Sequence, residues 1–127
     1  MQRDIENKED ITKLVNEFYS RAVNDETIGH IFKNITGFSF ETHIPIMVSF
    51  WETLLFGTAG YKGNPMAKHI ALNKLIPLEK THFNQWLALW EKTIHENFAG
   101  IHAKDAIAKS KNIARIMQAQ IKMNSAQ

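Results

Sequence analysis

The sequence contains no cysteine. That excludes disulfides, thiolate metal sites, iron–sulfur clusters, a nucleophilic cysteine and covalent haem attachment through a C-x-x-C-H motif. Glycine and proline are scarce, with six and three among 127 residues, and no G-x-S-x-G elbow, Gly-rich phosphate loop or Rossmann fingerprint is present. No apolar run is long enough to span a bilayer, and Met1-Gln2-Arg3-Asp4-Ile5-Glu6 is charged and lacks an apolar signal core. The expected location is therefore the cytoplasm. A surplus of one charge is missing too: Lys+Arg 15 against Asp+Glu 13 leaves the chain close to neutral, without the concentrated basic surface of a nucleic-acid binder. Neither nucleic acid nor a membrane is expected as a partner.

What is present suits one helical domain over 1–127, since 44% apolar residues in a chain of this length can build a real core. Ile11, Leu14, Val15, Phe18, Ala22 and Val23 recur at helical spacing, with Asp10 a plausible cap and Tyr19 beside the stripe. A short segment around Ile28 to Phe32 follows, then a loop through Asn34 and Gly37. The next helix carries His43, Met47, Phe50, Trp51, Leu54 and Leu55 and stops at Gly57. Pro45 interrupts its start: with Thr42 as N-cap it costs no intrahelical bond, and with a start near Ser39 it falls inside the helix. Phe83, Trp86, Leu87, Trp90, Ile94 and Phe98 share one register on a long helix ended by Gly100. A last helix, from about Ala103 to Met123, sets Ala106, Ile107, Ser110, Ile113, Ala114, Met117 and Ile121 on one face. No segment alternates as a strand does, and the class is all-α.

The chemistry centres on histidine. In Gly63-Asn64-Pro65-Met66-Ala67-Lys68-His69-Ile70-Ala71-Leu72, Asn64 is a good N-cap and Pro65 fits the first helical position. His69 then falls one turn past Pro65, with Met66 behind it on the same face. One aimed, shielded imidazole nitrogen is what a cofactor iron needs. Six histidines without cysteine, and with no H-x-x-x-H pair, suit a haem pocket better than a zinc or hydrolytic site. Tyr19, Trp86 and His43 are polar-tipped residues on or beside apolar stripes. Burying such tips unpaired costs on the order of 1–3 kcal/mol, so they are candidates to donate hydrogen bonds to a bound diatomic ligand with anionic character.

These residues carry a family resemblance. Phe18-Tyr19, Ile31-Phe32 thirteen residues on, His43 eight before Trp51 of the Phe50-Trp51 pair, Tyr61-x-Gly63-Asn64-Pro65, Lys68-His69 and Phe83-x-x-Trp86-Leu87 together resemble a truncated haemoglobin of the third group. The likeness runs from about Ile11 to Met117, with the haem-binding core about 11–121. The double-glycine hinges of the first two groups are missing, as the third group would have it.

The resemblance implies a two-over-two helical globin sandwich around non-covalent haem b. It places His69 as the proximal iron ligand, its Nδ1–H donating to a backbone carbonyl one turn back. It places Tyr19, Trp86 and His43 on the distal side and Phe32 against the haem, with Met47, Phe50 and Trp51 lining or backing the pocket. For His43, ligand contact and an outward-swung gating position both stay open. Lys68 and Lys74 are candidates for haem propionates or are simply solvated. Met66, Leu72, Phe83, Ile113 and Met117 read as core and cofactor contacts at once. His30, His82, His95 and His102 read as surface or capping residues. The implied function is reversible binding of dioxygen or nitric oxide. The alternative is a redox enzyme detoxifying nitric oxide or peroxide with a separate reductase, and no residue is assigned a catalytic role. A third reading, a haem-free helical interaction module, is separated from both by a Soret band that His69→Ala abolishes.

Overall fold

The computed structural model describes residues 2–34, 39–58, 60, 61, 63, 68, 73 and 77–125. Among these residues every regular element is a helix: α1 (Lys8–Ala22), α2 (Gly29–Lys33), α3 (Phe40–Phe56), α4 (Lys80–Asn97) and α5 (Ile101–Ser125). Helix α1 packs on α3 and α4, while α5 packs on α4 and α3, so the four long helices close a two-over-two sandwich.

The stripe expected on α1 is the floor of the core. Ile11, Leu14, Val15, Phe18 and Ala22 are buried against Trp90, Ile94 and Phe98 of α4 and its C-cap, and against Ala103 and Ala106 of α5. Burying side chains of this size contributes about 1.5–3 kcal/mol each. The helix starts earlier than expected, because Asn7, not Asp10, is the cap: its side chain accepts from the Asp10 N–H. Asp10 is instead buried and ion-paired with Arg3. That Arg3 hydrogen bond, set against desolvation, holds the Asp10 carboxyl below its usual range.

The segment before α1 belongs to the core as well. Ile5 is fully buried, and the Ala99 N–H donates to the Arg3 carbonyl at 3.0 Å. Asp4 caps the last helix from nearly a hundred residues away, accepting from the His102 and Ala103 N–H groups at 2.9 Å each. Helix α5 can therefore begin at Ile101, two residues before the expected start, with its second and third N–H groups satisfied by Asp4. Burial would push the Asp4 carboxyl up, but backbone bonds from His102, Ala103 and Ile5 outweigh it and leave it below the usual value. Gly100 makes this approach possible. Its φ is +145°, and a Cβ there would lie 2.5 Å from Asp4 Cγ.

Helix α3 begins after Ser39, so Pro45 is its sixth residue and not its third. The Glu41 carbonyl thereby loses its intrahelical donor. Gly57 ends the helix in the left-handed region, at φ +71°, and Lys109 of α5 donates to the Leu54 carbonyl at 2.6 Å. Lysine and backbone together seal the C-terminal end of α3 and fix it on α5.

Candidate functional site

A cavity of about 400 Å³ lies between the helices, lined by side chains from all five. That is within the roughly 300–1,000 Å³ of small-molecule and cofactor sites. Its wall is aliphatic and aromatic apart from Tyr19, His43, Tyr61, Lys68, His82 and the indole tips. Helical spacing explains the set. His43, Met47, Phe50 and Trp51 stand at i, i+4, i+7 and i+8 on α3, and Phe83, Trp86 and Trp90 at i, i+3 and i+7 on α4. Ile113, Ala114 and Met117 complete the wall from α5.

The polar centre is a pair. Tyr19 Oη lies 2.8 Å from His43 Nε2, with the rings edge to face at 5.0 Å. His43 therefore turns towards Tyr19 and lines the cavity in this structure. Phe18, Phe32 and Phe40 pack round the Tyr19 ring at 5.0, 5.8 and 5.8 Å. Tyr19 is 8% exposed, and burial pushes its phenol well above the ordinary value, so the hydroxyl keeps its proton at any working pH. A neutral phenol can both donate and accept, whereas the indole of Trp86 can only donate.

Trp86 lies parallel to Trp90 at 6.2 Å, and Trp90 stacks on Trp51 at 4.7 Å. Phe18 meets both Trp86 and Trp90 edge-on. These stacked rings form a stiff apolar wall beside the polar pair. The Trp90 indole N–H is buried without a hydrogen-bond partner among the described residues, at a cost on the order of 1–3 kcal/mol.

Of the residues expected at the site, Tyr19, Phe32, His43, Met47, Phe50, Trp51, Lys68, Phe83, Trp86, Ile113 and Met117 line this one cavity. His69, Met66, Leu72 and Lys74 lie outside the described residues. The cavity also takes in residues for which the sequence suggested no site role, among them Ile28, Ile31, Ile46, Leu78 and Trp90. The helical registers contained a signal for Trp90, one turn beyond Trp86. For Ile28 and Leu78, which flank helices, there was none. His82 lines the cavity as well as capping α4.

The donor chemistry suits a porphyrin. A flat apolar macrocycle matches the aromatic and aliphatic wall, and the Tyr19–His43 pair supplies directed polarity inside it. Among the described residues no three His, Cys, Asp or Glu side chains converge to hold a bare metal ion.

The bacterial-like globin family profile matches residues 4–122. The chain is 35% identical over 92 residues, 70% of each chain, to the group 3 truncated hemoglobin ctb of Campylobacter jejuni. Its fold superposes on the crystal structure of the group III truncated hemoglobin from Campylobacter jejuni with a TM-score of 0.84, at 29% identity over 95% of both chains. It also superposes on THB1 of Chlamydomonas reinhardtii with a TM-score of 0.70, at 24% identity over 87% of this chain and 89% of that one, a likeness of fold alone.

Proposed function

Because the chain belongs to the bacterial-like globins, and within them to the group III truncated haemoglobins, we propose that it holds haem b through His69 and reversibly binds dioxygen or nitric oxide. The haem, when bound, supplies an iron that takes up a diatomic gas. Everything else is done by the chain. The observation that carries the reading is the 2.8 Å Tyr19–His43 pair inside an otherwise apolar cavity.

That pair has two hydrogen-bond states. In one, the Tyr19 hydroxyl donates to an unprotonated His43 Nε2 and is spent. In the other, the His43 Nε2–H donates to Tyr19 Oη, and the phenol proton is free to donate to a ligand. A ligand with anionic character favours the second state, in which His43 holds the oxygen of Tyr19 and aims its proton. Trp86 contributes a second donor from α4, and the cage around Tyr19 excludes water. In such surroundings each hydrogen bond is stronger than in solution. Several donors retain a gas and slow its release, which suits tight binding better than delivery.

The same pair supports a second reading, removal of nitric oxide or peroxide with electrons from a separate reductase. Half-buried His43 beside buried Tyr19 is placed to pass a proton between solvent and the cavity. The first reading is tested by absorption and gas-binding spectra of the purified protein. A Soret band that shifts with oxygen or nitric oxide, and is lost or displaced in His69→Ala, is the expected result. A wild-type protein that takes up no haem refutes it.

A further inference from the structure

His82 occupies an unusual position. It is the third residue of α4, where a capping box ordinarily carries Glu or Gln to accept the N-cap N–H. Here the Glu79 N–H donates to His82 Nδ1 at 3.0 Å. That bond fixes the tautomer: with Nδ1 accepting, the proton of the neutral ring stands on Nε2. A carboxylate or amide side chain would cap the helix as well. The imidazole caps it through one ring nitrogen while offering an N–H donor at the opposite corner of a rigid ring, a pairing that a carboxylate cannot make. The side chain is half-buried and lines the cavity.

Among the described residues no Asp or Glu lines the cavity, whereas Lys68 and His82 do, and Lys68 is exposed. An apolar cavity whose wall carries a lysine and a fixed N–H donor, with no carboxylate to neutralise them, suits a mostly apolar ligand bearing anionic groups at its edge. Hydrogen bonds to ionised acceptors are about twice as strong as neutral ones.

We propose that His82 recognises a carboxylate at the rim of the cavity, its Nε2–H donating to a propionate of the porphyrin and so selecting the free acid over an uncharged edge. The inference rests on the haem reading above and adds a positioning residue to it.

The experiment uses the full-length protein reconstituted with haem or with haem dimethyl ester. The rate of cofactor loss to an excess of a haem-scavenging apoprotein is followed for the wild type, His82→Gln and His82→Glu. Both substitutions keep an acceptor for the Glu79 N–H, so α4 stays capped, and thermal unfolding checks that it does. Gln retains an N–H donor, whereas Glu replaces it with a negative charge. His82→Glu is expected to lose haem about tenfold faster, of the order of one charge-assisted hydrogen bond. His82→Gln should stay within about threefold of wild type, and the loss of the ester should change less than twofold in either variant, on the same footing. Equal acceleration for haem and its ester would mean a merely structural role and overturns the proposal. So does no acceleration at all. A wild-type chain that takes up neither cofactor instead refutes the haem reading itself, a result distinct from the other two.

Discussion

Replacing Tyr19 by Phe removes one oxygen atom and leaves the packing intact, because the Phe18, Phe32 and Phe40 contacts are made by the ring. Two hydrogen bonds are at stake: the 2.8 Å bond to His43 and the one we assign to a bound gas. The first is worth little to folding, about 0.5–1.5 kcal/mol, since half-buried His43 can turn to water. The second acts in a dry, aromatic cage and leaves an anionic ligand with the Trp86 donor alone when lost, about 1–3 kcal/mol. If that loss appears wholly in the dissociation barrier, oxygen release accelerates by roughly 5- to 150-fold. Stopped-flow displacement of oxygen by carbon monoxide reads this rate directly. His43→Leu should also speed release, by a smaller factor, because it acts by aiming the Tyr19 proton. The two changes must therefore be non-additive, with His43→Leu nearly silent once Tyr19 is Phe. Release within twofold of wild type in Tyr19→Phe refutes the donor role. Additive effects, or slower release in His43→Leu, refute the assigned direction of the Tyr19–His43 bond.

Gly100→Ala should destabilise the fold by about 2–4 kcal/mol, combining positive-φ strain with the loss of the Asp4 cap; a urea midpoint that does not move contradicts the account of that turn. Pro45→Ala should raise stability by about 1–2 kcal/mol, because it restores the donor for the Glu41 carbonyl at some cost in unfolded-state entropy. The same titration decides it, and a lower midpoint counts against the reading. The Asp4 and Asp10 carboxyls are both held below the ordinary 3.8 in the folded chain, so their stabilisation is complete above that value and lost as pH falls through their folded-state values. Unfolding free energies measured between pH 6 and pH 3 should decline, and decline less steeply in Asp4→Asn. Parallel curves would show that Asp4 carries none of the acid sensitivity.

The fold was readable because its signals are periodic. The α1 stripe, the Phe83-to-Phe98 register and the Gly57 stop all reappear where apolar spacing and helix-ending chemistry put them. The cavity was readable through residues on those same stripes. What escaped the sequence is long-range. Asn7 and Asp10 are both acceptable caps by composition, and only the Arg3 partner of Asp10 decides between them. Ile5 precedes any helical period, so nothing local marks it as core. The choice between Thr42 and Ser39 as the start of α3 turns on a tertiary contact: Phe40, which the longer helix includes, packs on the core and on the Tyr19 ring. Lys109 looks like any solvent-facing lysine until α3 is set against α5. His82 was half legible: its capping role follows from position, but its place on the cavity wall requires the fold.

The link from Asp4 to the start of α5 bears on the order in which the chain assembles. Contacts separated by almost the whole sequence carry the largest loop-closure entropy, so they add least to an early folding nucleus. Until the first residues arrive, the leading turn of the last helix keeps its donors in water. The clasp therefore acts mainly on how slowly the finished globule comes apart. Weakening it hastens unfolding while leaving the forward rate almost untouched. A globin that must retain its haem gains directly from such a brake, since every opening of the clasp loosens α5 and, with it, one wall of the cavity.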